Sequence, residues 1–457
     1  MKAEKNNDLT LEEQTETTEE PKKESNSLIE AEQFIRSTMM KASTLDGKTY
    51  SSELEHEILS KAMGREPKAI DQAKELILET INDNKISVEG YSTKELAERI
   101  FANVWGLSVI EEYASDYETD EIRVNSYNKI YIVKNGIPQK LDISFPSEDE
   151  VEILIKRVVM EDTGVSIDMS NPRIESVLGD GSRLTAVAPP ISKNWSFILR
   201  RHCSFNPTVD NYLKKETFDE KTWKALSLLV RGRASMLYSG NVGAGKTTLM
   251  RKLIGELNDK LRIASIGKDI EVLIQNLYPD KDVIELEEQA HLGIGMKELF
   301  ITLLRESPDA IVVEEFRGGG EAIEAVRACT RGLDGSMATA HFNTPEEAVE
   351  GTALFMLEEG LAIPMDMAKL RVARAFNIVV QMTGDAITGK KKLVSITELT
   401  TDEQGQVNFN ELLRWKPSSY NYYGEGDWEF VGKPSKGLQF KLLKNVRKEE
   451  LEEMGWL

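Results

Sequence analysis

Gly240, Gly245, Lys246 and Thr247 stand in "SGNVGAGKTTLMR" (239–251) at the spacing G-x-x-x-x-G-K-[ST]. That combination is chemistry for holding phosphate. The glycines let the backbone fold so that its N–H groups converge on phosphate oxygens, and a following helix adds the positive end of its dipole. Lys246 is expected to reach the β- and γ-phosphates of ATP, Thr247 to put its hydroxyl on Mg²⁺, and Thr248 to help at the α-phosphate. A second candidate group lies at 303–322, "LLRESPDAIVVEEFRGGGEA", where an apolar strand ends in Glu314 and Glu315. A carboxylate at the tip of such a strand, beside a phosphate loop, can hold the metal shell or polarise the attacking water, and Glu315 is the first choice. Paired glutamates after a strand are by themselves more often a solvated loop. Their place downstream of a phosphate loop turns the reading towards catalysis.

These residues need a scaffold, and the sequence around them alternates strand and helix. "ASMLYS", "LRIASI" and "AIVVEE" read as strands, and "KTTLMRKLIGELN" and "MKELFITLLRE" as helices. The alternation predicts a mostly parallel sheet with helices on its faces, an α/β core over about 206–400. Residues 401–457 add strand-like pieces and the aromatic, Gly-rich "SYNYYGEGDWEFVGKPSKG", read as a C-terminal β/aromatic appendage whose tyrosines and tryptophan either pack together or form an interaction surface. Before the core, 107–205 mixes β-rich runs ("DEIRVNSYNKIYIVKNGIPQKL", with "NG" placed to turn a hairpin) with the helix "SEDEVEILIKRVVMEDT", an α+β domain. Over 27–106 apolar residues recur three and four apart, predicting a helical extension. Residues 1–26 carry too few large apolar side chains to offset the entropy of ordering and are expected to be a disordered tail.

Composition narrows the partners. With 57 basic and 77 acidic residues the net charge is −20, so nucleic-acid binding is not expected. The two cysteines, Cys203 and Cys329, form no Cys-x-x-Cys pair, so neither a disulfide framework nor a zinc site is supported and a reducing cytoplasm fits. No apolar run has the length of a membrane span, and the N-terminus has no signal-peptide core. His56, His202 and His291 show no metal-ligand spacing.

Three blocks then share a resemblance: "LRESPDAIVVEEFRGGGEA", "RGLDGSMATAHFNTPEEAV" and "DEIRVNS". They resemble the signatures LRxxPDxIxxGExR, TGHDGSxxTxHA and EIxVNG of the type II/type IV secretion ATPase superfamily. The layout of "LGDGSRLTAVAPP", "FILRRH" and "VSITELT" is most similar to its tight-adherence pilus branch, and the likeness covers about 107–415. It implies a RecA-like C-terminal P-loop NTPase domain, an α+β N-terminal domain closing over the nucleotide, and a hexameric cytoplasmic ATPase. By position, Gly240, Asn241, Val242, Gly243, Ala244, Gly245, Lys246, Thr247 and Thr248 become the Walker A loop and Glu315 the Walker B glutamate. His341 becomes the histidine-box residue, Arg305 and Arg317 the arginines of the Walker B block, and Arg183, Arg200 and Arg201 the N-domain cations over the nucleotide. Guanidinium forks suit phosphate.

Two departures stand out. The family's acidic box, I-E-D-x-x-E-L, reads "IGKDIEV" here, so Gly267 and Lys268 replace the leading acids and Asp269 and Glu271 remain, with Glu271 at the box's last acid. Lys268 either brings positive charge near the γ-phosphate or points into solvent. Arg331 and Leu333 replace the threonine and histidine of TGHDGS. The expectation is a cytoplasmic ATP hydrolase, peripheral to the membrane, which powers pilus assembly or protein secretion as a homohexamer. Its expected partner is a polytopic inner-membrane platform protein and, through it, a pilin-like or secreted substrate. The alternatives are a nucleotide-binding regulatory subunit with weak hydrolysis and, less favoured, a nucleic-acid translocase.

Overall fold

The computed structural model describes residues 27–39, 52–116, 118–163, 166–201, 207–268, 270, 272–289, 292–315 and 321–457. The expected tail at 1–26 lies outside them, as do His202, Cys203, Asp269, Glu271, His291 and Arg317. The chain divides into two compact units, Met1–Glu111 with Asp149–Asn171 and Ser176–Asp180, and Glu112–Glu148 with Pro172–Glu175 and Gly181–Leu457.

In the first unit, helices α1 (Leu28–Met39), α2 (Ser52–Met63), α3 (Pro67–Asp83) and α4 (Thr93–Val104) point Ile35, Leu59, Ile77, Ile81, Phe101 and Trp105 into one core. The i, i+4 spacing of Ala69, Ala73, Ile77 and Ile81 keeps one face of α3 buried. Ser92 and Glu95 form a capping box that starts α4. The short helix α5 (Glu111–Ser115) begins with a buried carboxylate, and Arg65 Nη1 donates to both Glu111 oxygens at 2.7 Å.

The second unit holds two sheets. An antiparallel sheet of six strands runs β3-β2-β1-β6-β5-β4, from β1 (Thr119–Ser126), β2 (Lys129–Lys134), β3 (Ile137–Lys140), β4 (Arg173–Val177), β5 (Arg183–Val187) and β6 (Ser196–Arg200). Asn135 and Gly136, both at positive φ, turn β2 into β3, as the "NG" signal requires. Helix α6 (Glu148–Thr163) intervenes in the chain between β3 and β4. Helices α7 (Val209–Lys214) and α8 (Glu220–Arg231) lead to the larger sheet, of nine strands in the order β15-β14-β13-β12-β7-β11-β10-β8-β9.

Its parallel part comprises β7 (Met236–Gly240), β8 (Ile263–Gly267), β9 (Val283–Glu287), β10 (Ala310–Val313), β11 (Met337–Ala340) and β12 (Ile378–Gly384). β13 (Lys391–Thr401), β14 (Val407–Pro417) and β15 (Gly426–Phe430) continue it antiparallel, so residues 407–430 of the expected appendage extend the same sheet. Both faces are apolar. Along β7, Met236 and Tyr238 enter one core while Leu237 enters the other, the period of two of a strand buried on both sides. The first face is covered by α8, α9 (Lys246–Ile254), α15 (Lys436–Leu442) and α16 (Lys448–Glu453). Helix α10 (Ile274–Leu277) adds Ile274 to that core, and α11 (Met296–Leu303), α12 (Glu321–Cys329), α13 (Pro345–Glu358) and α14 (Met365–Ala375) cover the second. The strand of the phosphate loop, β7, and the strand of the glutamate pair, β10, are separated by one inserted strand, β11. That is the RecA-type order, and the fold class is α/β as expected.

Candidate nucleotide site

The phosphate loop leaves the buried end of β7 and enters α9 through Gly245, whose φ of +87° is a left-handed conformation that costs glycine nothing. Gly240 is required for a different reason: a Cβ there would stand 2.3 Å from the carbonyl oxygen of Met382 on β12. The loop is also tied to that strand. Asn241 Nδ2 donates to Gly384 O at 2.8 Å, and Gly384 N donates back to Asn241 Oδ1 at 2.9 Å.

Lys246 is 5% exposed, and its Nζ donates to Gly240 O at 2.9 Å and Asn241 O at 3.1 Å. The same Nζ lies 3.0 Å from His341 Nδ1, and His341 Nε2 lies 2.6 Å from Glu315 Oε1. An ammonium has only donors, so Nδ1 accepts and the ring proton sits on Nε2, from which it is donated to Glu315. The Walker A lysine, the histidine and the last residue of the glutamate pair thus form one polar chain. Its geometry rests on strand order, because β11 delivers His341 between β7 and β10. Phe342 O accepts from Ser239 Oγ on β7 at 3.1 Å and from Gln381 Nε2 on β12 at 3.0 Å, which fixes the backbone beside the histidine. Sequence reading passed over Asn241's amide, Ser239 and Gln381. Their types are ordinary, and no local spacing marks them.

The two glutamates have different surroundings. Glu314 is 3% exposed; it accepts from Ser265 Oγ at 3.1 Å and from Val272 N at 3.2 Å. Glu315 faces His341. The altered acidic box runs on from β8, and carboxylates of the neighbouring strand β9 accept from the described backbone beside it: Ile270 N donates to Glu287 at 3.1 Å, and Ile274 N, at the start of α10, donates to Glu285 at 2.6 Å. Burial raises the Glu285 carboxyl above its ordinary range, against those backbone hydrogen bonds. Lys268 is exposed, and its ammonium is 2.6 Å from the carboxylate of Glu321, 1% exposed in the first turn of α12.

The arginines are dispersed. Arg183 on β5 and Glu121 on β1 flank Arg200 on β6 in one cross-strand register, and Arg201 N donates to Asp120 O at 3.0 Å. Arg305 is exposed five positions before β10, at the amino-terminal edge of the parallel strands, whereas Lys246, His341 and Glu315 lie at their carboxyl ends. The structure therefore does not bring Arg305 to this chain's own phosphate loop. Thr247 and Thr248 occupy the first turn of α9, partly exposed beside Lys246. Backbone N–H groups at a helix start, one buried lysine and two hydroxyls form a donor set that fits a phosphate chain.

Residues 106–383, more than half of the 457, match the family model described as type II/IV secretion system protein. The chain belongs to that family. It is an ATP hydrolase, and so binds nucleotide. VirB11 of Bartonella quintana, a type IV secretion system protein, is 26% identical over 329 residues, 70% of this chain and 85% of that relative. A putative conjugal transfer protein of Mycobacterium tuberculosis is 24% identical over 310 residues, 65% of this chain and 86% of its own length. Among solved structures, the pilus retraction motor PilT with bound ADP matches at a TM-score of 0.44 with 16% identity, over 76% of this chain and 88% of that one. Among the described residues no helix of this family member is long and apolar enough to cross a membrane.

Proposed function

We propose that this chain is the ATP-driven motor of a pilus-assembly or protein-secretion machine, working as a homohexameric ring at the cytoplasmic face of a membrane. The observation that carries the reading is the chain from Lys246 through His341 to Glu315, which joins phosphate binder and water-polarising carboxylate across three strands. Lys246 and the loop N–H groups hold the phosphates of ATP. Thr247 is the ligand for Mg²⁺, which when bound neutralises charge on the β- and γ-phosphates. Glu315 polarises the attacking water, and His341, by donating Nε2–H, keeps that carboxylate aimed. Glu271 and Arg317 belong to the proposal through their place in the family blocks. Arg183, Arg200 and Arg201 are the cations that close over the nucleotide. Arg305, at the far edge of its own sheet, would serve the nucleotide of a neighbouring copy in the ring.

The partners proposed are a polytopic inner-membrane platform protein and, through it, a pilin-like or secreted substrate. Domain boundaries near 106 and 205 are proposed as the joints at which nucleotide state is turned into movement. The test is steady-state ATP hydrolysis with Mg²⁺, recorded with assembly state on the same samples. Turnover should rise as the ring assembles and vanish in Lys246→Ala and Glu315→Gln. Turnover indifferent to assembly would reject the ring motor, and stimulation by DNA or RNA would favour a translocase.

A further inference from the structure

Lys391 opens β13 directly opposite Gly384, the residue that Asn241 ties to the phosphate loop. Its stem lies along Gly245: a Cβ on that glycine would stand 3.2 Å from Lys391 Cδ and 3.9 Å from Lys391 Nζ. Two lysines therefore meet the loop, Lys246 from its own helix and Lys391 from across the sheet. They differ in what they hold. Lys246 has two carbonyls and an imidazole, whereas among the described residues no hydrogen bond or ion pair engages the Lys391 ammonium. Lys392, next in sequence, is fully occupied between the rings of Trp415 and Trp428 with Glu216 beyond.

The charges facing Lys391 are Asp120, whose Oδ2 already accepts from Gly136 N at 2.8 Å, and the like charge of Lys215. Burial lowers the Lys391 ammonium below its ordinary range, with Lys215 acting in the same direction and Asp120 opposing. Lys391 is half-buried, and an ammonium partly withdrawn from water with no protein acceptor is placed to take one from a ligand.

We infer that Lys391 is a second phosphate-binding lysine of this site, contacting the phosphate chain of the bound nucleotide from the β13 side of the loop. The inference rests on the nucleotide-binding reading of the loop and adds a ligand that the Walker A spacing does not contain. The same hairpin carries Gly389, above which a Cβ would meet Asn135 O at 2.5 Å, so the strand that brings Lys391 to the loop also abuts the β2–β3 turn.

The experiment is calorimetric titration of ATP and of adenosine into the full-length protein at low and high salt, for wild type, Lys391→Gln, Lys391→Arg, Lys391→Met and Lys246→Ala. Lys391→Gln should bind ATP about tenfold more weakly, with a flatter salt dependence, and should bind adenosine as the wild type does. Lys391→Arg should recover most of the loss. ATP binding by Lys391→Gln within twofold of wild type, while Lys246→Ala binds none, overturns the inference and leaves the loop's role intact. Absence of ATP binding by the wild type overturns both. If Lys391→Gln does not fold, Lys391→Met, which keeps the stem, decides; failure of both to fold makes the position structural and ends the proposal.

Discussion

The proton on His341 is decided by its neighbour. Because Lys246 can only donate, Nδ1 must accept and Nε2–H must face Glu315, so removing the ring cuts both contacts at once. His341→Ala is expected to retain ATP binding and to lower kcat by about 10²-fold, the scale of a lost positioning or acid–base partner; equal losses in kcat and affinity would show that the histidine acts only through the loop's fold. Glu314 and Glu315 were legible as a pair, with Glu315 the first choice, but the surroundings of Glu314 were not. Both sit in "VVEEF", and only the register beside β8 turns Glu314 inward to Ser265 and Val272. Lys268 has a similar history. Its ion pair with Glu321 joins positions far apart in the chain, so the sequence could not name that partner. Restoring an acid with Lys268→Asp should set two carboxylates against each other. It is expected to lower stability by about 1–2 kcal/mol, read as a drop in Tm at neutral pH.

At the scale of elements, the phosphate loop is a strand end braced by a hairpin. Asn241 and Gly384 exchange two hydrogen bonds, so Asn241→Ala should cost about 1–2 kcal/mol of local stability and raise the KM for ATP with a smaller change in kcat, measured by steady-state kinetics. The turn of that hairpin sits against Asn135, and Gly389 has φ +68°. Gly389→Val, strained and in collision with Asn135 O, is expected to raise amide exchange over residues 129–140 and leave that of α9 unchanged. Strands β7, β8 and β10 were legible because their apolar runs follow a turn and precede helical periodicity. β11 was not. "MATA" has three small residues after a methionine and no period, yet it is the strand that inserts between β7 and β10 and delivers His341. Hydrogen bonding to both neighbours, rather than propensity, makes it a strand.

For the whole molecule, the charge of −20 opposes a polyanionic track, and the ring of identical chains proposed above would have to bring its interfaces together against that charge. Assembly is therefore expected to strengthen with salt and with ATP. Glu315→Gln with ATP, which should bind without turnover, is expected to sediment as the proposed hexamer at lower protein concentration than nucleotide-free wild type; an unchanged sedimentation profile would count against nucleotide-coupled assembly. The sequence alone determined that a phosphate chain is bound, because that chemistry is local: glycines, one lysine and two threonines lie within one strand–loop–helix segment and need no distant partner. It also determined the alternation of strands and helices, since burial on two faces demands it. Tertiary structure decided the rest. The partner of Lys268, the tautomer of His341, the separate surroundings of Glu314 and Glu315 and the approach of Lys391 to Gly245 all depend on which strands are neighbours. Side-chain period records which face of a strand is buried and carries no information about the strand beside it.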